Sequence, residues 1–473
     1  MNYSNSQRAG VILYLTALIF GAYVTWVKGN SEKSKLMVYN ESGENEGIYT
    51  ASNSEFGKLI SAFNPMISEK DLAETISKIE REAPLVDACD NENYTAVNNG
   101  IFDSSTKQLI PFSPEIVFTA KSRVNYNPQA KNVVLHNKDD GSDWDVESWI
   151  DDMFDDESMS NLIWQILSAV MHPYRKYDEC ICFYSETGNN GKGSLCELMR
   201  NLCGEGSHCT IPFNHMNDRF LPDALLHSTA IITDENQVDS RSLKSETFKA
   251  LCTQDKFNFE MKFRGSFEFC FHGRIIQCIN NLIKFDDTTD SLYRRFLIVP
   301  FTKSFTGAER KYIKDDYLHR PEVLEFVMYK ALNMDDFKDY DIPTQCADLM
   351  HFYKSYNDPI RAFYDEFMDE FVWDLLPYKF LYDLYKKWYA ENCQGQPVAQ
   401  GDFKKSTINI FVNCDEWKWT KPYPTGNLIS VPEPLIAKYD LTRWMRDNYR
   451  GEDIIKCLPT TKSSYEGLLR IKS

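Results

Sequence analysis

Cys-x-x-Cys pairs are missing from this chain of 473 residues, although it carries thirteen cysteines. Their absence argues against a zinc ribbon, and scattered thiols suit a reducing compartment better than a disulfide framework. Cys203, His208, Cys209 and His215 lie close in sequence, but their spacing matches no zinc pattern, which leaves structural thiols. An excess of positive charge is missing too: 52 Lys and Arg face 69 Asp and Glu, a net charge of −17. That sign argues against a protein that coats nucleic acid over its whole surface, and leaves room for a small basic channel. The stretch that raises a membrane question, residues 10–27, reaches only the lower end of the spanning range. Arg8 alone gives the leading region positive charge, and no small-residue cleavage site follows. The stretch reads as a buried helix packed on the next hairpin, with a membrane segment as the alternative.

What is present fits an ordinary globular protein, with 43% hydrophobic and 26% charged residues and length for two to four domains. Residues 36–39 and 48–51 flank a polar turn and read as a hairpin. Residues 56–83 carry helical patterns with a turn at Asn64-Pro65, and Ser68 followed by Asp71 and Leu72 marks a helix start. Residues 96–112 read as a small β-hairpin that Ser113-Pro114 ends. Between 139 and 157 the chain is strongly acidic. Trp144, Trp149, Ile150, Met153 and Phe154 recur there at helical spacing, which predicts an amphipathic helical segment. Residues 161–171 continue as a more buried helix.

The chain is organised around residues 179–195, ECICFYSETGNNGKGSL. Ile181 to Tyr184 read as a buried strand, a helical pattern opens at Leu195, and a Gly/Asn turn with one lysine lies between them. Such a turn cradles phosphate through backbone N–H groups at a helix N-terminus, with the lysine reaching the outer phosphates. Gly188, Asn189, Asn190, Gly191, Lys192, Gly193, Ser194 and Leu195 are therefore the candidate nucleotide-binding residues. The pattern departs from G-x-x-x-x-G-K-[ST] twice. Glu186 takes the first glycine position, and Gly193 stands where a hydroxyl normally holds magnesium. Ser194, one residue later, is the candidate metal ligand; a bland Gly/Asn turn would look similar.

Residues 229–235 form an apolar strand that ends in two acids. Asp234 is the candidate magnesium ligand and Glu235 the candidate for polarising the attacking water; an ordinary acidic strand end is the bland reading. Residues 257–271 alternate aromatic and polar residues around Arg264-Gly265, a hairpin signal. Lys262, Phe263 and Arg264 at its tip suit a DNA strand, while a solvated tip on a core hairpin reads equally well. A third strand ends at Asn280, which can orient water or sense a γ-phosphate, or merely cap a strand end. Arg294 and Arg295 precede a fourth strand, where an arginine can reach a neighbouring subunit's γ-phosphate or form a plain surface pair.

In this order the motifs YSETGNNGKGS, IITDEN, QCINN and YRRFLIVPF resemble superfamily 3 helicases. The chain is most similar to the phage and plasmid primase-helicase family, which includes the satellite-phage primase and the poxvirus primase-helicase nucleoside triphosphatase. The likeness runs from about residue 45 to about residue 420. It implies ATP and Mg2+ bound by Lys192 with Ser194 or its neighbour. Asp234 and Glu235 become the second motif, Asn280 a sensor, Arg294 or Arg295 a finger acting in trans, and Lys262 and Arg264 a pore hairpin. It further implies a homo-hexameric ring on single-stranded and duplex DNA, and a bacterial host cytoplasm. A separate primase and replication-initiation proteins are candidate partners, and no membrane partner is favoured. Ile283 departs from relatives with proline at that place, which puts the local loop geometry in question.

Residues 375–388 and 400–411 read as helices and 417–420 as a strand. This suggests a winged helix-turn-helix in which Lys404 and Lys405 contact phosphate. The expected fold is α/β: a P-loop AAA+-like ATPase core with an α-rich N-terminal domain and a C-terminal winged-helix domain. The expected divisions are 1–55 helix and hairpin, 56–160 helicase-associated domain, 161–340 ATPase core, 341–425 winged helix and 426–473 tail. The expected function is an ATP-dependent helicase of phage or prophage replication. The alternatives are a non-catalytic origin-binding scaffold and a bifunctional primase-helicase.

Overall fold

A computed structural model describes residues 24–28, 35–50, 60–61, 65–236, 243–261, 265–393, 395–446 and 454–471. The chain divides into two units, residues 1–350 and 351–473.

Among the described residues the first unit begins with strands, and the hairpin expected over 36–51 is present. β1 (Val24–Lys28) pairs antiparallel with β2 (Lys35–Tyr39), and β2 with β3 (Tyr49–Thr50). The run 10–27 is therefore not one helix: its last residues, Val24 to Val27, are strand, and the remainder lies outside the described residues. Val24, Thr25 and Val27 are β-branched and stiff, which favours the pleated backbone. α1 (Glu69–Glu82) starts as its sequence predicts, with the Ser68 hydroxyl accepting the Asp71 N–H at 3.2 Å. β4 (Leu85–Asp87) then joins β1 in parallel, so one sheet bridges the expected boundary at residue 55.

β5 (Tyr94–Val97), β6 (Gly100–Asp103) and β7 (Gln108–Ile110) form an antiparallel three-stranded meander in place of the single hairpin expected. The difference lies at Asn98-Asn99, a turn that adds a strand before it. Gly100 follows it with φ +152°, and a Cβ there would strike the Ile110 carbonyl at 2.7 Å. β8 (Leu135–His136) and β9 (Asp143–Trp144) make a short hairpin before α2 (Val146–Asp151), which Asp145 caps. Between residues 139 and 156 the acidic segment is thus helical over six residues only. Among the described residues before 157, strands outnumber helices.

α3 (Glu157–Met171) has twelve buried residues and is apolar nearly all round, as an interior helix must be. After it come β10 (Cys180–Tyr184), α4 (Lys192–Cys203), β11 (His208–Cys209), β12 (Ala230–Thr233), α5 (Glu246–Cys252) and the hairpin β13 (Lys256–Met261) and β14 (Gly265–Cys270). β15 (Arg274–Ile279), α6 (Asp290–Tyr293), β16 (Phe296–Pro300), α7 (Lys311–Asp315) and α8 (Pro321–Asn333) complete the core. Five strands pair in the order β11-β12-β15-β10-β16, all parallel. Parallel strands covered on both faces need near-continuous apolar runs, and all six residues of β15 are buried. One hydrophobic core extends from Val97 to Cys346, so no boundary falls at residue 160.

Two polar residues in β15 are tolerated because each is saturated. Gln277 donates to the Ile211 carbonyl at 3.2 Å and accepts from Asn236 at 3.0 Å. Arg274 donates to the carbonyls of Ala169, His172, Arg175, Gly273 and Tyr177 and stacks on the Tyr177 ring at 4.8 Å. Truncating it leaves those carbonyls without a donor in a dry interior. Arg274→Ala is therefore expected to cost at least about 3 kcal/mol. Urea unfolding followed by near-ultraviolet circular dichroism checks this value.

α9 (Thr344–Asn357) leads into the second unit, which contains α10 (Pro359–Phe367), β17 (Leu375–Pro377), α11 (Tyr378–Asn392), α12 (Gln400–Ile410), β18 (Trp417–Pro424), α13 (Pro434–Lys438) and β19 (Ser464–Arg470). Its sheet order is β17-β19-β18, antiparallel throughout. Residues 426–473 are therefore no tail, since they supply the central strand. Gly467 is required there: a Cβ would meet the Leu376 carbonyl oxygen at 1.9 Å.

Candidate nucleotide site

β10 lies where the strand order reverses: β11, β12 and β15 are reached to one side of it and β16 to the other. Ligands of open parallel sheets bind outside the carboxyl ends of the strands at such a switch point. The turn after β10 emerges there. Residues 186–189 are exposed, then Asn190 turns inward and donates to the Thr187 carbonyl at 2.6 Å. Gly191 takes φ +89° as the N-cap of α4, and a Cβ would press on Met153 at 3.3 Å. First-turn amides have no intrahelical acceptor, which leaves those of Gly193 and Ser194 available to a ligand. Leu195 differs. Its N–H is already bonded to the Gly191 carbonyl at 3.0 Å, and its side chain is fully buried.

Lys192 is 7% exposed and donates to the Asn280 side-chain oxygen at 2.8 Å, the Ser185 carbonyl at 3.3 Å and the Ile279 carbonyl at 3.4 Å. Every partner is a neutral oxygen. Burial pulls its pKa below the ordinary lysine value, because no anion offsets the lost hydration. A buried ammonium with neutral partners suits an anionic ligand.

The acids arrive from β12. Thr233 pairs with Gln277 of β15, which brings Asp234 beside the end of the strand that leads to Asn280. Asp234 lies with the Cys196 and Cys278 sulfurs in a cluster whose ligand atoms are within 4.8 Å of one another. Arg200 of α4 grips its carboxylate through two contacts, 2.7 and 2.9 Å long. Glu235 is exposed. Lys192, Asn280 and the pair Asp234-Glu235 thus converge at the ends of β10, β15 and β12. Ser194, on the first turn of α4, is half-buried.

The two arginines part company. Arg294 is exposed, whereas Arg295 is 7% exposed and donates to the carbonyl and hydroxyl of Ser291. Lys262, Phe263 and Arg264 lie outside the described residues, although β13 and β14 form the hairpin expected for them. Lys404 is engaged within its own unit: it pairs with Glu466 at 2.6 Å and sits between the rings of Tyr378 and Trp419. Glu466, on the strand read as tail, gave no signal of this pairing. Lys405 is 79% exposed and reaches Asp402 at 3.3 Å.

Two residues of the site were missed. Arg200 stands eight positions after Lys192, close to two helical turns, a spacing that places both on one side of α4. Asn236 donates to the Cys278 carbonyl at 2.9 Å and accepts from the Phe213 N–H at 2.9 Å, tying the acidic strand end to β15.

Three family models match parts of the chain. Residues 25–155 match D5 N terminal like, and residues 355–426 match Poxvirus D5 protein-like. These two matches support the resemblance to the phage and plasmid primase-helicase family. Residues 183–295, including the turn and the acids, match a family of unknown function (DUF5906). No curated protein matches it. Among solved structures it is similar to the apo NrS-1 C-terminal region (305-718), at 13% identity and a TM-score of 0.48, over 97% of this chain and 98% of that one. The A form of that region gives 13% identity and a TM-score of 0.46, over 91% and 90%. No helix among the described residues is long and apolar enough to cross a membrane.

Proposed function

We propose that this chain is an ATP-driven DNA helicase that binds the nucleotide on a P-loop core and completes its catalytic site between subunits. One observation carries the reading: Lys192 and Asn280 touch at 2.8 Å at the switch point of the parallel sheet, with Asp234 and Glu235 at the adjoining strand end. The turn and the free amides of α4 hold the triphosphate, and Lys192 neutralises its outer phosphates. Glu235 polarises the attacking water, and Asn280 orients it toward the γ-phosphorus. Arg294, the exposed member of its pair, reaches the neighbour's nucleotide in a hexameric ring.

The donor set fits magnesium. Ser194 and Asp234 would hold it, with Asp234 acting through water because Arg200 already grips its carboxylate. The ion would neutralise charge building on the phosphates.

In the second unit, helix, strand, two helices and two strands with sheet order β17-β19-β18 favour a winged helix. Lys405 of α12 and Lys418 and Lys421 of β18 are among its exposed cations. They suit contact with phosphate.

The test is strand separation on forked DNA together with a mass measurement with and without ATP. ATP-dependent unwinding by a multimer is the expected result. Duplex binding without turnover would favour the scaffold reading, and primer synthesis on a single-stranded template would favour the bifunctional one.

A further inference from the structure

We infer that Lys314 is a second phosphate-binding cation of the nucleotide site, standing in for the hydroxyl that position 193 lacks. The inference rests on the nucleotide reading above and adds a residue that no sequence motif marks.

Gly193 occupies the place where phosphate loops carry the Ser or Thr that holds the metal. A Cβ built there would find the Lys314 ammonium at 3.8 Å as its nearest neighbour. The cation therefore stands over the first turn of α4, on the side a missing hydroxyl would face. Its element is fixed to the loop. The Phe305 N–H donates to the Asn189 carbonyl at 2.7 Å, and the Asn189 side chain donates to Glu309 at 3.1 Å. Within α7, Tyr312 donates to Asp140 at 2.8 Å and packs on Tyr317 at 5.0 Å, while Ile313 is buried in the main core.

The charge balance points to a ligand. A cation at a helix N-terminus meets the positive end of the dipole, an unfavourable placement unless an anion intervenes. Lys314 is half-buried and has no carboxylate partner among the described residues. Two other cations nearby are spoken for: Arg200 holds Asp234, and Lys303 pairs with Asp155 at 2.8 Å. Lys192 has only neutral partners. Two uncompensated ammonium groups at one helix end fit a polyphosphate, whose outer groups carry the highest charge density. A lysine at the metal-hydroxyl position also means that part of the charge neutralisation is supplied before any metal binds.

The test is ATP and ADP binding by calorimetry with the full chain, once with Mg2+ and once in EDTA. Wild type is expected to bind ATP in EDTA no more than about 10-fold more weakly than with Mg2+. Lys314→Met should lose roughly 10- to 100-fold in EDTA, the worth of one charge-assisted contact, and less with Mg2+. Lys314→Arg should retain binding, and unchanged thermal unfolding of Lys314→Met separates the effect from misfolding. Equal binding by Lys314→Met and wild type in EDTA would overturn the inference, as would loss equal in both buffers. If Lys192→Ala abolishes binding while Lys314→Met does not alter it, only this inference fails. If wild type binds no nucleotide in either buffer, the nucleotide reading fails with it.

Discussion

Lys192→Ala is expected to lower ATP turnover at least about 100-fold, the usual consequence of removing a preorganised charge from a phosphoryl-transfer site. The fold should survive the change. Lys192 is buried against three neutral oxygens, so its removal takes a desolvated charge out of the interior and leaves oxygens at the mouth of the site for water to reach. Thermal unfolding should stay level or move slightly upward, because the depressed pKa marks a charge that folding disfavours. Steady-state phosphate release with single-stranded DNA present, beside a melting curve, checks both halves. Full turnover in the variant would remove Lys192 from the chemistry.

Glu235→Gln is expected to separate binding from chemistry. The side chain is exposed at the end of β12 and has no ion-pair partner among the described residues, so the amide costs the fold little. ATP should bind with affinity within a few-fold of wild type, while hydrolysis falls by about 100-fold or more once the water loses its polarising carboxylate. Asp234→Asn should behave differently, because it also breaks the ion pair with Arg200 and frees a guanidinium beside the site. Parallel nucleotide titration and single-turnover hydrolysis distinguish the two. Equal loss of binding in both variants would argue that Glu235 holds the nucleotide rather than the water.

The core of the site was legible because its signals are local. Buried parallel strands leave apolar runs, and β10, β12, β15 and β16 begin and end within a residue or two of the sequence reading. A Gly/Asn turn with one lysine is likewise a short-range pattern. What stayed hidden depends on residues distant in sequence. Arg200 and Asp234 are 34 positions apart, and nothing near either one announces the pair. Lys314 lies 121 positions beyond Gly193 in a stretch with no motif. Arg294 and Arg295 look interchangeable in sequence, and only packing against Ser291 tells them apart. β2 and β3 match the hairpin read at 36–51, whereas β1 was taken for the end of a helix because it gains its identity only from partners at residues 35–38 and 85–87.

The second unit's sheet is completed from the inside. β17 and β18 do not pair with each other; each waits for β19, which enters between them and carries Glu466 to Lys404. During synthesis the first unit has its whole chain available more than a hundred residues before this strand emerges. The second unit therefore stays an open ledge of unpaired edges until residues 464–470 are made. Chains cut short of that point would keep an intact first unit and lose the second unit's fold entirely, rather than losing a few residues from its margin.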